Sequence, residues 1–283
     1  METRFVFVMF GLCLLRTRNR IHNQFSTPKL PMKKLSFIVS FFFSLLIFGN
    51  AKQKTLKGLL VTGGGHHDYA TQKDIITKEI SKRLSVEWEV LYEMDPRRMK
   101  GLLSTDDWAE GYDFIFYNFC FAREDDTDFI DKVVAVHKGG MPVVAMHCAM
   151  HTYHPYVKGK AEEKSWNKML GVVSSGHGPH VPYDVTIVSK HANHPVVEGL
   201  PSKWRTPKGE LYMVPTVLEG TTVLAHGDNG SEHKPPQPQA LTWVKEKDGF
   251  KLCATTMGHH NETVETKEFL DMVANGIAWV TRK

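Results

Sequence analysis

The sequence predicts an α/β fold in which a mostly parallel central sheet is covered by helices on both faces. Two observations favour this fold. Short apolar segments alternate with amphipathic helical segments after residue 51, which is the pattern of successive strand–helix–strand units. The segment 142–146 is almost wholly apolar, as expected of a strand that is buried on both of its faces.

The first half of the domain is predicted to alternate strands and helices. The expected strands are 56–61, 88–92, 112–117 and 142–146. A helix is expected over 74–84, because Ile75, Ile76, Ile80 and Leu84 repeat with the spacing of one helix face. A second helix is expected over 127–137, where two glycines follow and end it.

Strands predominate in the second half. They are expected at 181–188, 210–217, 222–225, 241–244 and 252–256, the last two as a hairpin pair. A final helix over 264–280 presents Phe269, Val273 and Ile277 on one face. No internal repeat and no long linker interrupts the sequence, so residues 52–283 are predicted to form one domain.

The first 51 residues are predicted to be a leader. Residues 32–51 have the parts of a signal peptide: two lysines, an apolar run of 14 residues, and Ala51 at the expected cleavage point. A membrane span needs about 20 apolar residues. We therefore expect export to the periplasm or the extracellular space, with translation starting at Met32 and residues 1–31 a misassigned start. An uncleaved N-terminal membrane anchor is the alternative.

Charge argues against a nucleic-acid partner. The whole chain carries +4, but the leader holds seven Lys/Arg and one acid, which leaves 28 basic and 30 acidic residues, or −2, in 52–283. Without the leader we expect no stable membrane insertion, and homo-oligomerisation stays open. Three cysteines remain after the leader, so either a thiol is free or the fold does not depend on disulfides.

Histidines gather where ligands are expected to bind. Fourteen of the 15 histidines lie after residue 51, and several follow predicted strands at the carboxyl ends where open parallel sheets bind ligands. The residues concerned are His66 and His67 after the first strand, His147 after the fourth, His177 in the glycine-rich loop 174–180, and His259 and His260 after the last strand.

The stretch VAMHCAMH, residues 144–151, predicts a sharp turn between a strand and a helix. Such a turn needs small residues two positions on either side of its tip, because the backbone doubles back there. Centred on His147 those neighbours are Ala145 and Ala149, whereas centred on Cys148 they are two methionines. The spacing therefore places an imidazole at the tip and makes Cys148 a small buried residue rather than a nucleophile.

One imidazole from each segment is predicted to bind a divalent metal ion, Zn or a similar ion. The proposed ligands are His67, His147, His177 and His259. Neutral imidazoles with few carboxylates suit Zn with an open position for water. The alternative is that each histidine only caps a strand. The glycines at 63–65 do not predict a dinucleotide site, because Asp68 stands where G-x-G-x-x-G requires its last glycine.

Several short motifs, in this order, resemble the ThuA-like (trehalose utilisation) family. They are TGGGHH at 62–67, HCA at 147–149, GHG at 176–178, HPVVEGLP at 194–201, ELY at 210–212, MGHH at 257–260 and a closing helix through Trp279. Together they span about 56 to 280. The resemblance implies a flavodoxin-like, class I glutamine amidotransferase-like fold.

The resemblance also implies a role in carbohydrate metabolism, with a trehalose-related glycoside or keto-sugar as substrate. Amidotransferases place Cys at the turn and use a late His-x-Glu, which His260-Asn261-Glu262 matches. The predicted catalytic residues are His147, Glu210, His260 and Glu262. The predicted substrate-binding residues are His66, Asp68, His151 and Tyr212.

Three functions remain open from the sequence. The first is a sugar-processing enzyme, a hydrolase, lyase or isomerase, with a metal-assisted site. The second is a cysteine hydrolase or amidase that uses Cys148, His260 and Glu262. The third is a non-catalytic sugar-binding module.

Overall fold

A nine-stranded sheet organises the described part of the chain, in the order β2-β1-β3-β4-β13-β12-β11-β7-β8. The computed structural model describes residues 54–153, 157–247 and 249–282. The predicted signal peptide, start site and anchor lie outside these residues and stay predictions. Within the described ranges, no helix is both long enough and apolar enough to cross a membrane.

The strands alternate with helices in the first half, as predicted, and dominate the second half. The strands of the main sheet are β1 Leu56–Gly64, β2 Val86–Glu93, β3 Phe114–Cys120, β4 Val143–Met146, β7 Asp184–Ile187, β8 Lys203–Arg205, β11 Thr221–Asp228, β12 Gln239–Lys247 and β13 Phe250–Thr255. Two small two-stranded sheets pair β5 Val172–Val173 with β10 Thr216–Val217, and β6 Gly176–His177 with β9 Tyr212–Met213. The helices are α1 Tyr69–Ser81, α2 Pro96–Leu102, α3 Thr127–Lys138, α4 Ser165–Leu170, α5 Asn261–Val264 and α6 Lys267–Val280.

The core of the main sheet is parallel. Strands β2, β1, β3, β4 and β13 pair in parallel along the sheet, whereas β12, β11, β7 and β8 extend it with antiparallel pairs. The predicted hairpin of the last two strands is β12–β13. Because β13 runs parallel to β4, the loop after β13 emerges at the same edge as the loops after β1 and β4.

Both faces of the central strands are buried, as predicted. All seven residues of β3 are buried, and alternate side chains enter two separate apolar clusters. Tyr117 and Phe119 pack on one face with Trp166 of α4. Phe116 packs on the other with Ile76 of α1 and Ile277 of α6. Because successive side chains of a strand enter opposite faces and both faces are covered, these strands are apolar throughout.

Local capping moves several predicted helix boundaries. Helix α1 begins at Tyr69 rather than 74, because the Asp68 side chain accepts a hydrogen bond from the Thr71 amide at 3.1 Å. The predicted final helix is α6 and begins at Lys267 rather than 264, because the Thr266 side chain caps it by accepting a hydrogen bond from the Phe269 amide. The short helices α2 and α4 were not predicted.

The predicted strand 210–217 is wrong as one continuous element. It is divided into β9 and β10, which pair with different partners, β6 and β5. The divided segment brings residues 210–212 against the loop 174–180 instead of placing them in the main sheet.

Gly276 tests the packing of α6 on the sheet. A Cβ at this position would lie 2.7 Å from Sγ of Cys253 on β13, whereas exposed Gly101 in α2 has no heavy atom within 4 Å of its Cβ position. We expect Gly276→Ala to lower the free energy of unfolding by about 1–3 kcal/mol through overpacking. Gly101→Ala should raise it by about 0.5–1 kcal/mol through helix propensity.

Urea unfolding followed by circular dichroism measures both variants. An equal increase in the free energy of unfolding for Gly276→Ala and Gly101→Ala would contradict the close contact between α6 and β13.

Candidate functional site

Three parallel strands deliver histidines to one edge of the sheet. His67 follows β1, His147 follows β4, and His259 follows β13. The ring centroid of His67 lies 4.6 Å from that of His147 and 4.7 Å from that of His259. The convergence expected from the sequence is thus present in the structure.

His147 occupies the tip of the turn after β4. Its φ of +46° lies in the left-handed region that non-glycine residues rarely adopt. Ala145 and Ala149 are fully buried on either side, and Gly258 leaves room where a Cβ would lie 2.2 Å from the Met146 methyl group. The structure therefore has the turn register that the small neighbours predict.

The hydrogen bonds of His147 define its protonation. Nδ1 lies 2.7 Å from the Thr256 carbonyl oxygen, and because a carbonyl can only accept, Nδ1 carries the proton. Complete burial lowers the pKa of His147, although Glu210 opposes this shift. The imidazole is therefore neutral, and Nε2 presents a lone pair 3.2 Å from the Tyr212 hydroxyl and 3.3 Å from Oε2 of Glu210.

Glu210 is the carboxylate at the centre of the site. It is only 4% exposed, and four imidazoles surround it. Oε1 lies 3.0 Å from Nδ1 of His177 and 2.8 Å from Nε2 of His180. Oε2 lies 3.0 Å from Nδ1 of His259. Burial alone would raise the pKa of Glu210, but the surrounding imidazoles of His147 and His259 outweigh it and lower the pKa, so the carboxylate is ionised.

An ionised Glu210 fixes the tautomers of its neighbours. Nδ1 of His259 and Nε2 of His180 must each donate to it, because a carboxylate only accepts. In neutral His259 this leaves Nε2 with a lone pair. A histidine held by a carboxylate in this way is the usual arrangement of a metal ligand.

His67 has no hydrogen-bond partner within the described residues. Both of its ring nitrogens are buried and unsatisfied. Burial, and secondarily the neighbouring His147 and His259, lower the pKa of His67 to about 2, so the ring is neutral. Each unsatisfied buried polar atom costs about 1–3 kcal/mol, and a ligand bound by the ring would remove this cost.

Two groups of histidines are close enough to hold an ion. In each group the candidate ligand atoms lie within 4.8 Å of one another. One group is His67, His147 and His259, and the other is His180, His259 and His260. Three of the four ligands proposed from the sequence form the first group. His177 belongs to neither; its Nδ1 donates a hydrogen bond to the Gly178 carbonyl oxygen and lies 3.0 Å from Oε1 of Glu210.

A cleft of about 650 Å³ is lined by His67, His180, His259 and Glu210 of this site. His66, His151, His177 and Tyr212 contribute to its walls. The rings of His151 and Tyr212 stack 4.1 Å apart with an interplanar angle of 10°, and Nε2 of His151 bonds the Ser174 hydroxyl at 2.8 Å. Asp68 instead caps α1 and accepts a bond from Asn261 at 2.8 Å, so its side chain has a structural role here.

The structure does not assemble a cysteine–histidine–glutamate triad. Cys148 forms a disulfide with Cys120, a pairing that the sequence did not predict, and both residues line the cleft. Glu262 has a side chain 58% exposed and pairs with Lys208 at 3.7 Å. The remaining cysteine within the described residues, Cys253, is buried and unpaired, and burial raises its pKa to about 12.

The sequence analysis did not predict the contact of His180 with Glu210 or the hydrogen bond between His147 and Thr256. His180 belongs to the same glycine-rich loop as His177, only three residues later, so a signal was present. The loop reaches Glu210 because β6 pairs antiparallel with β9, which sets His177 opposite Tyr212. Nothing local in the sequence indicates that pairing.

Solved structures with the same fold include two ThuA-like proteins. The one from Parabacteroides merdae has a TM-score of 0.62 and 19% identity, and the match covers 81% of this chain and 90% of that chain. The one from Bacteroides uniformis has a TM-score of 0.61 and 18% identity, covering 81% and 93%. A β-galactosidase from Bacillus circulans matches with a TM-score of 0.51 and 8% identity, over 81% of this chain but 32% of its own.

These similarities concern the fold, which is the predicted class I glutamine amidotransferase-like α/β fold. No curated protein sequence matches the chain. The ThuA family model, described as "Trehalose utilisation", matches residues 114–280. Since that match covers more than half of the sequence, the chain belongs to the ThuA family.

Proposed function

We propose that this protein is a carbohydrate-processing enzyme that acts on a trehalose-related glycoside or keto-sugar with the help of one Zn²⁺ or similar divalent ion. The family's link to trehalose utilisation supports the substrate class. The observation that carries the metal is His67, whose two ring nitrogens are buried without a partner beside His147 and His259.

The chemistry of the donor set fits a divalent cation. The three imidazoles are held close together, and His147 and His259 each have a protonated Nδ1 bonded to an oxygen. Each Nε2 then carries a lone pair that could ligate, although the lone pair of His147 accepts a hydrogen bond from the Tyr212 hydroxyl that the ion would displace. Three nitrogen ligands leave an open coordination position, which is typical of catalytic zinc. The Nε2 lone pair of His147 lies 3.3 Å from the ionised Oε2 of Glu210, and the two repel each other. A cation bound to Nε2 would offset this repulsion.

The bound ion would polarise a substrate carbonyl or activate water. The protein's own groups would hold and move the proton. Glu210 is the buried base, and its Oε1 contacts His177 and His180, whose side chains are 46% and 49% exposed. These two imidazoles connect the carboxylate to the solvent of the cleft, so a proton accepted inside can leave through them.

The cleft suits a sugar in size and lining. Its volume of about 650 Å³ falls within the range of small-molecule sites, about 300–1,000 Å³. The half-buried ring of His151, which stacks on the buried Tyr212, and the exposed ring of His66 lie at the walls where a sugar would bind.

Export to an oxidising compartment is part of the proposal. The leader predicts it, and the disulfide between Cys120 and Cys148 supports it, because disulfides persist mainly outside reducing cytosol. We expect the mature protein to begin at Lys52. N-terminal sequencing of the exported protein checks this, and a mature N-terminus that lies before Met32 would contradict both the start site and the cleavage site.

His67→Ala tests the metal. We expect the affinity for the tightest-bound Zn²⁺ to fall at least about 100-fold, because a ligand is lost rather than an outer partner. Isothermal titration calorimetry of chelator-stripped protein measures it. The matched control is His66→Ala, since His66 is exposed and lies outside both histidine groups. Unchanged Zn²⁺ affinity in His67→Ala would exclude this site.

Glu210→Gln tests the base. The substitution keeps the side-chain shape and removes the charge, so we expect kcat on a keto-sugar substrate to fall about 10²–10⁴-fold. The control is Glu198→Gln at an exposed position, which should leave kcat unchanged. A panel of glycosides and their keto derivatives, assayed with and without chelator, identifies the substrate. Sugar binding by the wild type without turnover anywhere in the panel would instead indicate a binding module.

A further inference from the structure

We propose that Gln72 is a positioning residue of the site: its buried side-chain amide fixes the backbone of His259, so that the ring of His259 meets the ring of His67. Gln72 is not among the residues predicted from the sequence, and it does not line the cleft. The inference rests on the proposed function, because the positioned ring is one of the three imidazoles proposed to bind the ion.

One amide holds both peptide groups that flank the Cα of His259. Nε2 of Gln72 has two hydrogens, and it donates to the Gly258 carbonyl oxygen at 2.8 Å and to the His259 carbonyl oxygen at 3.3 Å. The first oxygen belongs to the peptide group before that Cα, and the second to the one after it. The direction of the Cα–Cβ bond is thereby set, and the hydrogen bond from Nδ1 of His259 to Glu210 restricts rotation of the ring.

Asn118 determines which way the amide of Gln72 points. Asn118, on β3, donates through Nδ2 to Oε1 of Gln72 at 3.1 Å. An amide NH₂ group only donates and an amide oxygen only accepts, so Oε1 faces Asn118 and Nε2 faces the loop after β13. The two residues are 0% and 1% exposed, so bulk water does not compete for these hydrogen bonds.

Gln72 couples two of the proposed ligands because of its place in α1. The helix begins two residues after His67, and Gln72 is its fourth residue. A second contact joins the same two parts of the chain, since Nδ2 of Asn261 donates to Oδ2 of Asp68 at 2.8 Å. The start of α1 and the loop after β13 are thus held together at two points, and the ring centroids of His67 and His259 lie 4.7 Å apart.

The position of Gln72 would otherwise suit an apolar side chain. Gln72 shares the buried face of α1 with Ile76 and Ile80, which pack in the apolar cluster on that side of the sheet. Burying an amide there is tolerated only when its groups are hydrogen-bonded, whereas an apolar side chain would need no partner. A buried network with all its groups hydrogen-bonded fixes one arrangement of its members. A metal site needs such support for the segment that carries a ligand.

The test compares the loss of two buried amides. Gln72→Met keeps the size of the side chain and removes its hydrogen bonds, so we expect the Zn²⁺ affinity of the chelator-stripped protein to fall about 10–100-fold, as for other supporting partners of metal ligands. Isothermal titration calorimetry measures it. The matched control is Asn167→Leu, since Asn167 is buried and donates to the Ala161 carbonyl oxygen at 2.8 Å, away from the cleft. The control should lower the free energy of unfolding in urea and leave the Zn²⁺ affinity unchanged.

Gln72→Glu separates positioning from a general loss of stability. A carboxyl group buried at this position is protonated, because burial raises its pKa, and it then keeps one donor for Gly258 and one acceptor for Asn118. We expect it to restore most of the Zn²⁺ affinity that Gln72→Met loses. Circular dichroism of each stripped variant verifies the fold. If Gln72→Met does not fold, Gln72→Asn replaces it, because its shorter amide cannot reach both partners.

The outcomes distinguish this inference from the proposed function. Wild-type Zn²⁺ affinity in folded Gln72→Met, or in the Gln72→Asn that replaces it, would overturn the positioning role and leave the proposed function standing. An equal loss in Asn167→Leu would overturn it as well, because affinity would then follow stability. An affinity in Gln72→Glu no higher than in the variant that loses the hydrogen bonds would do the same. No bound Zn²⁺ in the wild type would overturn both proposals.

Discussion

The arrangement of the histidines depends on one buried carboxylate. Glu210 is almost inaccessible, and its oxygens contact four imidazoles that come from three different parts of the chain. Burying a carboxylate without partners costs several kcal/mol, so imidazole N–H groups must point toward it. Those hydrogen bonds fix the tautomers of His259 and His180, and the tautomers decide which nitrogens are left as lone pairs. The charge of one buried carboxylate therefore determines which ring nitrogens around it carry protons and which carry lone pairs.

The sheet provides the second constraint. Since β1, β4 and β13 are all parallel, their carboxyl ends meet at one edge, and the loops that follow must share that space. The turn after β4 resembles the turn that carries cysteine in amidotransferases, but here an imidazole is at its tip. The neighbouring Cys148 is bonded to Cys120 at the end of β3. The same backbone turn thus presents a potential ligand rather than a nucleophile.

Patterns that depend on near neighbours were predicted well. The parallel core, helix α3, the hairpin β12–β13 and the position of His147 all follow from apolar runs, helical spacing or small residues beside a turn. Predictions failed where a single capping residue sets a helix boundary or where a distant strand determines the pairing. The caps Asp68 and Thr266 set the starts of α1 and α6 away from the predicted positions, and separate partners divided the strand expected at 210–217. His177 was predicted as a ligand and His180 was not, because the pairing of β6 with β9 that decides which ring lies near the others is not encoded locally.

The sequence by itself determined the α/β class, the strand ends at which histidines gather, and the register of the turn at His147, because each is encoded within a few consecutive residues. Only the tertiary structure decided which rings meet. The disulfide joins Cys120 and Cys148, which are 28 positions apart. The rings of His67 and His259 meet although they are about 190 positions apart in the chain. Such contacts arise from how elements pack, and packing is a property of the whole fold rather than of any local segment.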